Sequence, residues 1–191
     1  MNAASRLGDK LADLALEAEI PRNLKYVTAG VSLLALGATF EQACRLVPEM
    51  RREVAEWEDG RRTGVGVMPE GPYITLLKEG DGLKCLGLGL KDPDITILFK
   101  NLDSAILIFT GFLGAPAAVA ENRICVHGDN SKAMQMTRAM AIAQTYLFPG
   151  IILDKTFKRP PKLSLHELVT KGKIMGMLAP TLARIMLRPQ G

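Results

Sequence analysis

His127-Gly128-Asp129 is the one place in this 191-residue chain where an imidazole and a carboxylate are near neighbours, so a general acid–base pair would be sought there first. The other histidine, His166, stands 39 positions away in an unlike context. The same trio reads as a strand end, a turn glycine and a helix-capping aspartate, and no spacing supplies the substrate-positioning partner that catalysis needs. No residue is assigned a catalytic role.

Metal binding would need three or four His, Cys, Asp or Glu side chains converging, and no cluster has that spacing, so no metal ligand is assigned. Cys44, Cys85 and Cys125 are odd in number and far apart, which reads as reduced, buried thiols and not as a disulfide framework. Glu53, Glu56 and Glu58-Asp59 form the charge run of a solvated helix face. A phosphate cradle needs glycines between a strand and a helix N-terminus, whereas Gly64-Val65-Gly66 precedes a strand and Gly87-Leu88-Gly89 lies within one. No nucleotide or other cofactor is expected. Nucleic acid is not expected as a partner either, since aromatic residues make up 5% of the chain and the basic tail holds one, Phe157.

Methionine is the unusual feature. Met136, Met140, Ala143 and Leu147 are spaced four, three and four apart, one apolar stripe of a helix that also holds Met134. Methionine is flexible and polarizable, so it can line a site that adapts to an irregular apolar ligand. The candidate ligand-binding set is Phe99, Ile106, Phe109, Phe112, Met136, Met140 and Leu147. Plain core packing is the competing reading of the same residues.

These side chains need elements to carry them. Leu7, Leu11, Leu14, Leu16 and Ala18 recur at helical spacing from Ala4 to Glu19, and Pro21 stops the pattern. A second helix starts near Arg22 and runs through the apolar stretch Val27 to Phe40. Thr39 is read as the cap of a third, Phe40 to Trp57, whose boundary at Pro48 stays open. A glycine-containing link, Gly60 to Pro72, is followed by a hairpin, Tyr73–Lys78 and Leu83–Gly89 around Glu79-Gly80-Asp81-Gly82. Asp94 to Lys100 completes a three-stranded antiparallel meander. Asn101 caps a helix to Phe109, Ala115–Glu121 forms a short helix, Arg123–His127 a fourth strand, and Asp129 or Ser131 caps a helix from Lys132 to Thr145. Beyond a basic link, helical pattern resumes at Ser164, weakened by Gly172, Gly176 and Pro180.

The fold class expected is α+β: a mostly antiparallel sheet of four or five strands covered by helices around an apolar cavity. The division expected is an N-terminal helical extension at 1–60, the α+β domain at 61–154 and a basic helical tail at 155–191. With 48% apolar and 23% charged residues, a core of this size needs no cofactor, disulfide or metal for stability. The Val27 to Phe40 run is shorter than the roughly 20 residues that cross a hydrocarbon layer, and Met1 to Glu19 lacks the apolar region of a secretory signal. The expected location is the cytoplasm, with peripheral membrane attachment open to it.

Charge is uneven: residues 155–191 hold eight basic and one acidic side chain, a +7 tail on a −3 body. The tail suits an acidic partner, either an anionic membrane surface or the acidic face of a partner enzyme. Its apolar side, with Leu165, Leu168, Val169, Met175, Leu178, Leu182, Ile185 and Met186, must rest on the domain, a second subunit or a membrane. Exposed apolar surface there would admit a homo-oligomer.

The order hairpin, strand, helix, short helix, strand, Gly-Asp, helix from Tyr73 to Phe148 resembles the sterol carrier protein 2-like family. The residues that carry the resemblance are the strand Asp94–Phe99, the segment Leu107–Gly111, the helix Ala115–Glu121 and the run Arg123–Asp129, within a region of about 40% of the chain. The resemblance implies an open sheet covered by helices around an apolar tunnel that receives sterols, acyl chains or polyprenyl tails without chemistry. Members usually carry glycine where Asn122 stands here, and asparagine also tolerates a left-handed backbone.

Two functions follow as expectations. One is non-catalytic binding of a sterol, acyl chain or polyprenyl, quinone-like molecule, for transfer or for presentation to an enzyme. The alternative is an accessory scaffold for a lipid-metabolising enzyme, without free ligand exchange.

Overall fold

The computed structural model describes residues 21–109, 113, 115–148 and 164–187, so the helix expected over Ala4–Glu19, the Phe112 side chain and the link before Ser164 lie outside the described residues. The elements run α1 (Arg22–Leu46), α2 (Pro48–Ala55), β1 (Arg62–Val67), β2 (Tyr73–Glu79), β3 (Gly82–Leu88), β4 (Ile95–Phe99), α3 (Leu102–Phe109), α4 (Ala115–Ala120), β5 (Ile124–His127), α5 (Asn130–Leu147) and α6 (Leu165–Met186). The protein is α+β, with one five-stranded sheet in the order β3-β2-β1-β4-β5.

Three of the four pairings are antiparallel, but β1 and β4 run parallel, Val65 opposite Ile97 and Val67 opposite Phe99. The expected meander is thereby corrected: the third strand does not add to the hairpin but crosses it to pair with β1. The stretch Gly60 to Pro72, expected as a link, holds the central strand. Its sequence Thr63-Gly64-Val65-Gly66-Val67 does alternate with period two, with Val65 and Val67 fully buried beneath the helices and glycines on the outer face. A Cβ on Gly66 would meet Tyr73 Cδ1 at 2.1 Å, and one on Gly64 would meet Leu90 Cδ2 at 2.7 Å. Both glycines are therefore part of the sheet's packing, and they resemble a loop only in composition.

The helix boundaries also differ from expectation. Thr39 is no cap: its hydroxyl donates to Ala35 O inside α1, a helix that runs unbroken for 25 residues. The break falls at Val47, in extended conformation before Pro48 at the first position of α2. The expected caps of α3 and α5 are in place, with Asn101 Oδ1 accepting from Ser104 N at 2.8 Å and Asp129 Oδ1 from Ser131 N and Lys132 N. Those two backbone donors hold the Asp129 carboxyl below the usual range. Asn122 has φ +56°, the left-handed backbone expected there. Helix α6 survives its glycines and Pro180 because a full capping box, Ser164 with Glu167, starts it and tertiary contacts hold it.

One hydrophobic core joins α1, α2, the inner face of the sheet and α3 to α6. Leu36 to Cys44, nine consecutive residues of α1, are all buried, so this part of the helix is covered on every side. By length and composition α1 could cross a bilayer; 67% of its most apolar window is buried inside the fold. A Cβ on Gly37 would lie 2.6 Å from Cys85 Sγ, which shows how closely α1 approaches β3. At the same crossing the buried Glu41 accepts from Cys85 N through Oε1 and pairs with Arg184 of α6 through Oε2. Gln42 Nε2 donates to Thr181 Oγ1 at 2.8 Å beside it. Edge strand β3 is thus shielded by helices and a charged side chain, the usual protection of a sheet edge.

Candidate functional site

The residues expected to line a cavity are mostly packed into the core. Phe99 and Met136 are fully buried and Met140 nearly so, while Phe109 and Leu147 pack half-buried against the same cluster. Phe99 and Phe109 meet edge to face with ring centroids 5.1 Å apart, an arrangement favourable for an aromatic pair. Ile106 is half-buried on α3. None of these six lines any of the four surface hollows of the described residues reported below.

His127 is exposed at the end of β5, and the neighbouring Asp129 is committed to capping α5. Among the described residues no three His, Cys, Asp or Glu side chains are arranged to hold a metal ion. Cys44 and Cys85 are buried free thiols, and Cys125 is half-buried. Burial pushes the Cys44 thiol up to about 11, the opposite of what a nucleophile needs.

An apolar groove of about 340 Å³ opens elsewhere, between the first half of α1 and the β2–β3 edge. Val27, Val31 and Leu34 of α1 form one wall, Tyr73 and Leu88 the other, and Met186 at the end of α6 closes one side. No charged residue among the described residues lines it. Val27 and Val31 are each more than half exposed, at 58% and 56%, and Leu88 is 44% exposed. Pro72 packs beside Gly30 at the floor of the groove, where an added Cβ would make ordinary contact with the proline ring at 3.6 Å.

Tyr26 borders this groove and also a polar hollow of about 560 Å³ on its far side. Arg22 and Lys25 of α1, Glu70 and Gly71 of the β1–β2 turn, and Asn101 and Asp103 at the start of α3 line that hollow. Lys25 Nζ is 2.6 Å from Asp103, whereas Arg22 lies 3.8 Å from Glu70 with both side chains largely exposed. An apolar slot and a charged hollow thus share one tyrosine, an amphipathic side chain suited to such a boundary. The other two hollows are a charged one of about 530 Å³ around Arg45, Arg51 and Lys84 and a smaller one where α6 starts.

Sequence reasoning missed the groove residues. The signal present in the sequence was that the Val27–Phe40 run is apolar on all sides, more than one neighbour can cover.

No family model matches the sequence, and no curated protein matches it. Solved structures do. The chain is similar to a chain described as UbiJ-SCP2 ubiquinone synthesis protein, with 19% identity and TM-score 0.41, covering 61% of this chain and 95% of that one. It is similar to sterol carrier protein domain 2 of Helicoverpa armigera at 24% identity and TM-score 0.40, covering 55% and 81%. It is also similar to apo sterol carrier protein 2 from Yarrowia lipolytica at 15% identity and TM-score 0.45, covering 61% and 92%. These are proteins of the kind that the sequence resemblance names.

Proposed function

We propose that this is a cytoplasmic, non-catalytic protein that binds an amphipathic lipid, with the apolar chain along the α1/β2–β3 groove and the polar end at the neighbouring hollow. The observation that carries the reading is the shared boundary at Tyr26, with an apolar slot on one side and, on the other, a polar hollow holding Asn101 and the pairs Arg22–Glu70 and Lys25–Asp103. A volume near 340 Å³ sits at the low end of small-molecule sites, about 300–1,000 Å³. It suits one acyl or prenyl chain better than a fused ring system. Affinity comes from apolar area removed from water, roughly 25 cal/mol per Å², and the polar hollow sets direction. The ligand is held for transfer or for presentation to an enzyme.

Native mass spectrometry of the full chain, followed by solvent extraction and titration of the extracted protein with oleate, tests this. A stoichiometric lipid released by extraction, or uptake of one oleate per chain, supports the reading. A protein that purifies without ligand and takes up no oleate overturns it in favour of an accessory scaffold.

A further inference from the structure

Helix α6 is apolar on two opposite faces. Thr170, Ile174, Thr181 and Ile185, at helical spacing, are buried inward. Leu165, Leu168, Val169, Met175, Met186 and Leu187 point the other way and are 46–84% exposed. Between them lie Gly172 and Gly176, where an added Cβ would meet nothing within 4 Å. The charged residues of α6 all fall outside this strip. Lys171 Nζ turns inward to donate to Thr145 O and Phe148 O, Arg184 turns to Glu41, and Glu167 is spent on the capping box. Lys173 borders the strip on the other flank.

A contiguous apolar helix face left in water marks a surface that another molecule covers. From the outward apolar strip of α6 and the +7 charge of residues 155–191, we infer that this face docks in the plane of an anionic lipid surface. The large flexible side chains enter the headgroup–acyl boundary while basic residues of the tail supply the attraction to anionic headgroups. Charge selects the occupant: a second copy of the chain would bring another +7 tail against the first. Met186 belongs both to the strip and to the groove wall, so a docked helix sets the groove mouth at the lipid surface.

The test is co-sedimentation of the full chain with vesicles of phosphatidylglycerol and phosphatidylcholine, or of phosphatidylcholine alone. The expected result is binding to the anionic vesicles that weakens as salt is raised. The double variant Leu168→Glu/Met175→Glu should bind them at least tenfold more weakly while keeping its thermal midpoint and its oleate uptake. Leu168→Trp should show a blue-shifted emission on vesicle addition, relative to the wild-type signal from buried Trp57. The inference is overturned if the wild type stays in the supernatant, if the double variant binds as well as the wild type, if the Leu168→Trp emission does not move, or if the wild type is a dimer that the two glutamates dissolve. It is independent of the groove reading, since the glutamates lie outside the groove and oleate uptake is scored separately.

Discussion

Replacing Val31 by glutamate is the sharpest perturbation of the proposed groove. Val31 sits on the wall of α1 with 56% of its surface exposed, so a ligand in the groove would cover about half of a valine side chain. Full burial of valine contributes about 1.5–3 kcal/mol, so the lost contact amounts to about 1 kcal/mol. A carboxylate that a lipid chain must pass over adds about 1–2 kcal/mol of incomplete solvation, the lower range because it can swing outward. The sum, about 2–3 kcal/mol, corresponds to roughly 30- to 150-fold weaker binding. Fold stability should change by no more than about 0.5 kcal/mol, since the position is exposed and glutamate is a good helix former. The assay is displacement of a fluorescent fatty acid, with urea unfolding alongside. Val119→Glu on α4, exposed to a similar 54% but outside the groove, is the control and should bind as the wild type does. If Val31→Glu binds within threefold of the wild type, or if Val119→Glu weakens binding as much, the groove is not the site.

Three further outcomes follow from the core. Burial pushes the Cys44 thiol from 9.0 to about 11, so its stabilising contribution is complete below pH 9 and is lost as pH rises towards 11, by about 3 kcal/mol; Cys44→Ala should flatten that part of a denaturation-against-pH curve, and native alkylation should modify Cys125 before Cys44. Arg184→Met removes the cation paired with buried Glu41, and because the arginine is partly exposed the expected loss is about 1–3 kcal/mol in urea unfolding, with Glu41→Gln in the same background restoring part of it. Gly66→Ala places a methyl group 2.1 Å from Tyr73 and 2.8 Å from Pro72 O, which cannot rotate away, and should cost about 2–3 kcal/mol, whereas Gly172→Ala, with open space around it, should stabilise by about 0.5–1 kcal/mol.

Local chemistry was legible wherever one residue satisfied its own neighbours. Asn101 and Asp129 cap because a short polar side chain reaches the first free N–H groups of the next helix, and Asn122 turns because asparagine tolerates positive φ. The hairpin Tyr73–Leu88 was legible from its alternation and its Gly80 turn. What local pattern does not carry is pairing at a distance. Strand β1 looks like a glycine-rich link because the partners that fill the space above Gly64 and Gly66, Leu90 and Tyr73, come from other segments. The stripe of Met136, Met140 and Leu147 was legible as apolar, yet periodicity is the same whether a stripe faces a ligand or a neighbouring helix. The groove was hidden for a related reason: its walls come from α1, β2, β3 and α6, which meet only in three dimensions.

The position of the groove follows from how α1 is covered. A helix apolar all round is stable only where every face has a neighbour. From Leu36 to Cys44 it has them: the sheet on one side, α5 and α6 on the others, with Glu41 and Gln42 spending their polar atoms on Cys85, Arg184 and Thr181. Helix α6 ends at Met186, and among the described residues the first turns of α1 meet the sheet edge on one side and the start of α3, through Lys25 and Asp103, on another, while Leu24, Val27 and Val31 stay exposed. That exposed apolar surface of α1, with Leu88 and Met186 beside it, is the surface the proposed ligand would cover. The proposed binding of an apolar chain along this exposed first half of α1 would therefore require no rearrangement of the core.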